Sequence, residues 1–334
     1  TIERVLGALR ALEADGRVVL GEFQPRGVER EWCDTEVLRQ IRRRSLAALR
    51  REIEPVEHET FARFLPAWHG IATAADERTA SGRVTGRQGG PDALVDVIQM
   101  LQGVAIVAST LENDVLPQRV RGYRPTDLDA LFASGEVVWV GAGAIGSNDG
   151  RIRLFFADQI DELLPAYDIP EAPSGQLHEA IRLALRQRGA SFWNGIVAAT
   201  PQSTDGERLA ALWDLVWAGE VTNDTLTPLR SLVGGARSGS GRRSQRPTNR
   251  PRSMRLTRVG PPAGSGRWSF VGDVSEGPAD DTEATVNLHA IAMQMLQRHG
   301  VVTREAVLAE GVKGGFAGVY GVLKVLEEIG RAHV

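Results

Sequence analysis

Cysteine is almost missing: Cys33 is the only one in 334 residues, which excludes an internal disulfide framework and a cysteine zinc cluster. Lysine is nearly as scarce. Only Lys313 and Lys324 stand among 39 basic residues, so positive charge is carried by arginine, whose planar fork suits carboxylate and phosphate; a GC-rich coding genome gives the same bias. No apolar run reaches the ~18 residues of a membrane span and no stretch reads as a signal peptide, so a cytoplasmic chain with no membrane partner is expected. His58, His69, His178, His289, His299 and His333 lack metal-ligand spacing. There is no Gly-x-x-x-x-Gly-Lys-Ser/Thr loop and no Gly-x-Ser-x-Gly elbow. An ATPase, a metalloenzyme and a serine hydrolase are thereby excluded for these residues, and no bound cofactor is expected. The glycine-rich GAGAIGSNDG lacks a lysine and reads as a turn, with Asp149-Gly150 at its bend. Asp34, Asp149, Gln99 and Gln102 are catalytic candidates by residue type alone. The net charge of -3 argues against a uniformly basic surface, but not against local basic stripes.

What is present is a repeat. The stretch 126–141, TDLDALFASGEVVWVG, reads as a helix with Leu128 and Leu131 on one face, a glycine stop at Gly135 and a strand led by Val137. The grammar Leu-x-x-Leu-x-x-x-Gly-x-Val recurs at Leu9, Leu12, Gly16, Val18 and at Leu212, Leu215, Gly219, Val221. A fourth copy, Leu323, Leu326, Gly330, ends in Ala332. A helix turned at once into a ribbon is the last helix and wing of a winged-helix module, and repeated copies imply an array. The expected fold is mainly α with small β wings, a tandem winged-helix (helix-turn-helix) array. Two complete modules near the centre are flanked by two partial ones.

In chain order, residues 1–55 hold a partial module, starting inside a helix as an excised fragment would, and then a basic helix 36–52 capped by Asp34 and ended by Pro55. Residues 56–170 hold an aromatic connector 61–71, an exposed loop 73–90, helices at 92–102, 110–120 and 126–134, and wing strands 137–140 and 152–156. Residues 171–275 hold helices at 176–187, 194–199 and 208–218. Their wing contains the run 234–258, eight arginines and no acid, with Arg267-Trp268-Ser269-Phe270 as the returning strand. Residues 276–334 open on an acidic loop 276–283 and continue with helices at 286–298, 303–310 and 316–329, without a wing. Trp139, Trp213 and Trp217 follow the apolar period and are expected in the core; Trp68 and Trp268 sit beside proline or arginine and are read as stacking candidates.

In a helix-turn-helix the third helix offers its N-terminal residues to the groove and the wing touches the backbone. Those positions hold Arg119, Arg121, Tyr123, Arg124 and Thr126 in the central module, with Arg151 and Arg153 on its wing. They hold Ser203, Thr204 and Arg208 in the next, and Lys313 with Gly314 and Gly315 in the last. Arginine interleaved with an aromatic suits phosphate contact and base stacking. The expected partner is DNA, single-stranded or duplex. The competing reading is that these are solvated charges on modules used for packing.

The motifs EWCDTEVLRQIRRRSLAALRREIEPV, RFLPAWHGI, VLPQRVRGYRPTDLDALFASGEVVWVGAG, LWDLVWAGEVTNDTLTPLR and GVVTREAVLAEGVKGGFAGVYGVLKVLEEIGR resemble the region downstream of the ATPase core in bacterial large helicase-related (Lhr) proteins, with the arginine usage of an actinobacterial member. The resemblance implies a nucleoid-associated DNA-repair helicase region whose ATP- and magnesium-dependent motor lies elsewhere in the polypeptide. The partners it implies are that helicase core and further copies of the chain. It also implies kinship with AlkZ-type glycosylases, although Gln99-Met-Leu-Gln102 carries one residue more than the glutamine pair of those enzymes. DNA binding and assembly, glycosylase action on uracil or damaged bases, and a purely structural self-associating array are the three functional expectations.

Overall fold

The computed structural model describes residues 2–21, 23, 30–52, 56–71, 89–235, 260–271 and 281–332. The loop 73–88, Pro55, the arginine-rich residues 236–258 and the acidic residues 276–280 therefore lie outside the described residues. The chain divides into two compact units, Thr1–Arg63 and Phe64–Val334.

In the first unit α1 (Ile2–Ala14) is followed by an antiparallel pair, β1 (Val18–Gly21) and β2 (Glu31–Asp34), and then by α2 (Thr35–Glu52). Gly16, at φ 67, turns the chain out of α1 into β1. Asp34 caps α2 as expected, its carboxylate accepting the Glu36 and Val37 amides at 2.8 and 3.2 Å. Val37 and Ile41, one turn apart on α2, are each 47% exposed. The expected connector 61–71 falls for the most part on a helix, α3 (His58–Trp68), which begins in this unit and ends in the second.

The second unit holds two winged helices and a three-helix unit. The first winged helix runs α4 (Pro91–Leu101), β3 (Ile106–Val107), α5 (Ala108–Thr110), a π-helical turn Leu111–Val115, α6 (Pro125–Ser134), β4 (Val137–Ile145) and β5 (Asp149–Phe156). Its antiparallel sheet has the order β3-β5-β4. Leu94, Ile98, Leu128, Trp139, Ile152 and Leu154 close its core at 0% exposure. The expected helix 110–120 is found as α5 and this π-helical turn, continuous over 108–115, followed by hydrogen-bonded turns to Val120. The two-residue strand β3 escapes a pattern reading because period-2 alternation needs at least four residues to register.

After α7 (Ile160–Leu163), the second winged helix runs α8 (Gln176–Arg188), β6 (Ser191–Phe192), α9 (Trp193–Ala199), α10 (Asp205–Trp217), β7 (Val221–Asn223), α11 (Thr227–Gly235) and β8 (Arg267–Phe270). The sheet order is β6-β8-β7. Residues 267–270 pair with β7 as the returning strand, so the arginine-rich run belongs to an insertion between β7 and β8. That insertion opens with α11, which the sequence reading did not anticipate.

The three-helix unit is α12 (Asp281–His299), α13 (Arg304–Ala309) and α14 (Gly315–Ala332). Thr303 caps α13 through the Ala306 amide at 3.1 Å. The expected stop at Gly330 is not seen, because α14 runs through it to Ala332. Glycine permits a left-handed exit without forcing one; at Gly135 and Gly219 (φ 76 and 81) a ribbon draws the chain off.

The three pieces pack as neighbours. Trp139 of β4 stacks with Trp213 of α10 at 6.4 Å between ring centroids, and its indole N–H donates to Thr225 O at 3.3 Å. A Cβ at Gly141 would strike the Val216 carbonyl, so β4 meets the α10 backbone only because residue 141 has no side chain. On the other side, Val140 and Phe155 share a buried cluster with Leu163, Ile291, Met295 and Val319.

Candidate nucleic-acid interface

The turn into α6 is where most of the expected contact residues fall. Pro125 occupies the first helical turn, where its missing amide hydrogen costs nothing, and Leu128, Leu131 and Phe132 face the core. The opposite face is left to Thr126, Ala130, Ala133 and Ser134, all exposed. Arg121 and Arg124 stand exposed just before the helix, and Arg124 pairs with Asp127 at 2.9 Å while remaining 69% exposed. A small-residue face with arginines at its N-terminal end is a surface another backbone can approach closely.

Two expected members of this cluster turn inward. Arg119 is half-buried and donates to Val115 O at 3.0 Å. The Tyr123 hydroxyl donates to Glu112 at 2.7 Å, and burial followed by that carboxylate pushes its pKa up. Glu112 and Asp129 both bind Arg230 of α11, at 2.7 and 2.8 Å. Tyr123 is thus a buttress and not a stacking ring. This Tyr123–Glu112–Arg230–Asp129 network was not anticipated, because residues 118 and 101 apart in sequence give no local signal.

On the wing, Arg151 is exposed on β5 opposite Val107. Arg153 is a correction. It is 6% exposed, donates to Gly103 O at 3.0 Å and lies 4.8 Å from the Tyr167 ring centroid: it shares a face of β5 with Arg151, and the cluster holding Phe155 and Tyr167 covers its end of that face.

The second winged helix is corrected more heavily. Its third helix, α10, turns most of its second half inward, with Ala211, Leu212, Trp213, Leu215, Val216 and Trp217 buried, while Asp205, Glu207, Ala210 and Asp214 stay exposed. Arg208, 6% exposed, donates to the Thr200 carbonyl and to Asp205. Thr204 and Glu207 form a reciprocal capping box, so the helix start is already satisfied and presents carboxylates. Ser203 is half-buried, its amide bonded to Thr200 O. Trp268, read as a stacking ring, is at 0% exposure; its indole donates to Gly264 O at 3.0 Å and its ring meets Trp213 edge-on.

In the three-helix unit Lys313 is exposed, with its backbone amide bonded to Ala166 O at 2.8 Å. It borders a groove of about 680 Å³ whose charged lining is Asp168, Glu171, Glu179 and Glu220 against Arg182, Arg186 and Lys313. That balance offers phosphate no net attraction. Trp68 also has structural employment: its indole meets the Gln297 and Arg298 carbonyls at the end of α12, and a Cβ at Gly300 would press on its ring.

Three of the candidate catalytic side chains are engaged. Asp149 accepts the Ser109 and Gly150 amides, Asp34 caps α2, and the Gln102 amide, 1% exposed, bridges the Phe156 amide and the Gln159 side chain. Of Gln99 it is the backbone carbonyl that accepts, from the Gln294 side-chain amide at 2.7 Å. Among the described residues no three His, Cys, Asp or Glu side chains gather as a metal site, and no helix is long and apolar enough to cross a membrane.

Residues 56–157 and 281–333 match family models for winged-helix domains of large helicase-related proteins. The chain is 41% identical over 333 residues to a Mycolicibacterium smegmatis protein called Lhr helicase/probable uracil glycosylase, covering 97% of this chain and 21% of that protein. It is 35% identical over 316 residues to an Escherichia coli Lhr helicase/uracil glycosylase, covering 90% of this chain and 20% of that protein. It therefore spans about a fifth of the length of these relatives. A tandem winged-helix architecture whose sequence follows such relatives along nearly its whole length, with two of its segments matched by the family's own domain models, belongs to the large helicase-related (Lhr) family, to whose C-terminal region it corresponds.

Proposed function

We propose that this region binds DNA for an Lhr-type repair helicase, chiefly through the central module, with Arg121, Arg124 and Thr126 at the α6 start and Arg151 on the wing. The observation that carries the reading is the exposed face of α6. Arginines are held at its N-terminal end and small side chains line the exposed face that follows, whereas the equivalent helix α10 opens on the exposed carboxylates of Asp205 and Glu207 and buries most of its second half. Arg119 and Tyr123 position the turn without touching DNA. In this reading the chain divides near residues 55, 170 and 275 into four modules. The helicase core with its ATP and magnesium belongs to the longer polypeptide, and the whole acts in the cytoplasm at the nucleoid. The phosphate term should dominate, so the test is a salt titration of DNA affinity. Arg121→Ala/Arg124→Ala should bind more weakly on all sequences and flatten the log K against log[salt] slope by roughly 2. An unchanged slope rejects the assignment. Self-association belongs to the same reading, and a strictly monomeric chain at micromolar concentration in sedimentation equilibrium removes it.

The names of both relatives favour a second reading, base excision from uracil-containing DNA. It requires a base-sized pocket with an available carboxylate or amide. Incubation with a uracil-containing oligonucleotide followed by alkaline cleavage decides it, an uncut strand counting against.

A further inference from the structure

The most exposed aromatic ring among the described residues is Phe192, at 62%. It lies in β6, whose ladder with β8 sets Ser191 opposite Trp268 and Phe192 opposite Arg267. Ser191 and Trp268 are buried, so alternation places Phe192 and Arg267 together on the outer face. The strand is a rigid mount: Trp193 follows at 4% exposure, wedged against Gly260 and Gly264. Arg267 pairs with Asp224 through its Nε edge at 2.8 Å, yet its side chain stays 53% exposed. Arg188, exposed at the end of α8, donates weakly to Gly195 O at 3.4 Å, beside the same turn. None of these residues figured among the sequence candidates.

We propose that Phe192, flanked by Arg188 and Arg267, is a stacking platform for an unpaired base of single-stranded DNA, with the two guanidiniums on the adjoining phosphates. A rigidly held aromatic face is sequence-tolerant because every base has a π-face, and flanking arginines supply the backbone attraction. The charge favours this partner over an apolar protein surface, because Arg267 stands opposite Phe192 across the ladder and Arg188 reaches Gly195 just beyond it. The proposal deepens the DNA-binding reading and rests on it.

The experiment uses the full 334-residue chain, an oligo-dT probe, a single strand carrying one 2-aminopurine, and a blunt duplex. Phe192→Ala should weaken oligo-dT binding about tenfold, abolish 2-aminopurine quenching and leave duplex affinity intact. Phe192→Trp should restore both single-strand signals. Because the ring is exposed, thermal melting of Phe192→Ala should match the parent. Equal oligo-dT affinity and quenching in Phe192→Ala overturns the platform while leaving the Arg121/Arg124 reading standing. A parent chain that binds duplex but no single strand overturns it as well, and one that binds no DNA overturns both. A change in sedimentation with single-strand binding untouched would assign Phe192 to a protein contact and overturn the platform.

Discussion

At the scale of single residues, the same chemical group serves opposite ends according to where the chain turns it. Arg121 and Arg124 face solvent, whereas Arg153 and Arg208 spend their donors on carbonyls inside the protein. A substitution therefore separates the classes. Trp268→Ala should cost about 3–5 kcal/mol in urea denaturation, since it empties the contact with Trp213 and strands the Gly264 carbonyl. Arg208→Ala should likewise lower stability, while Arg121→Ala should move DNA affinity and hardly the urea midpoint. Sequence could not sort these residues. Trp268 follows an arginine and precedes a serine, a neighbourhood that looks wet, but strand alternation points it inward while Arg267 and Ser269 point out.

At the scale of elements, the Leu-x-x-Leu-x-x-x-Gly-x-Val repeat was legible because it is local. A helix face, a left-handed exit and a β-branched start all sit within ten residues, and three of the four copies adopt that course. The leucines also report how complete each module is. Leu128 and Leu212 are wholly buried, whereas Leu9, Leu12, Leu323 and Leu326 are only half-buried. What stayed hidden was the use each element is put to, because that depends on partners far away in sequence. The clearest case is α10, a reading helix by pattern whose second half is mostly core and whose exposed start is acidic. Gly141→Ala tests that packing. Its new Cβ would be driven into the Val216 carbonyl, so α10 and β4 must part. The expectation is a loss of about 1–3 kcal/mol with a changed near-ultraviolet dichroism from Trp139 and Trp213.

At the scale of the whole second unit, a buried polar clamp joins the three-helix unit to the central winged helix. Arg298, 2% exposed, donates to the Met100 and Gln102 carbonyls and pairs with Glu310, which also meets His299 at 2.6 Å. His69 sits edge-on to His299 at 5.9 Å. Burial pushes the Glu310 carboxyl up, but His299 and Arg298 outweigh it and hold it below its ordinary 4.5. Burial, helped by nearby cations, lowers the His69 imidazole below 6.5. A depressed folded pKa means stability present above the unfolded value and lost as pH falls. Both groups therefore act in one direction. Melting temperature should decline from about pH 6.5 downward through His69, and more steeply below about 4.5 through Glu310. Glu310→Gln should flatten the lower limb, because it removes the carboxylate that must be protonated.

The acidic start of α10 bears finally on how much text this protein can read. Arrays that recognise long sites do so by laying successive helices into successive turns of the major groove, each adding a few base pairs. In the proposed reading, the exposed start of the neighbouring α10 carries the carboxylates of Asp205 and Glu207, which repel phosphate, so α6 spells alone. Selectivity should then come from the state of the strand, whether paired or open, and binding-site selection from random libraries should return motifs no longer than about one half-site.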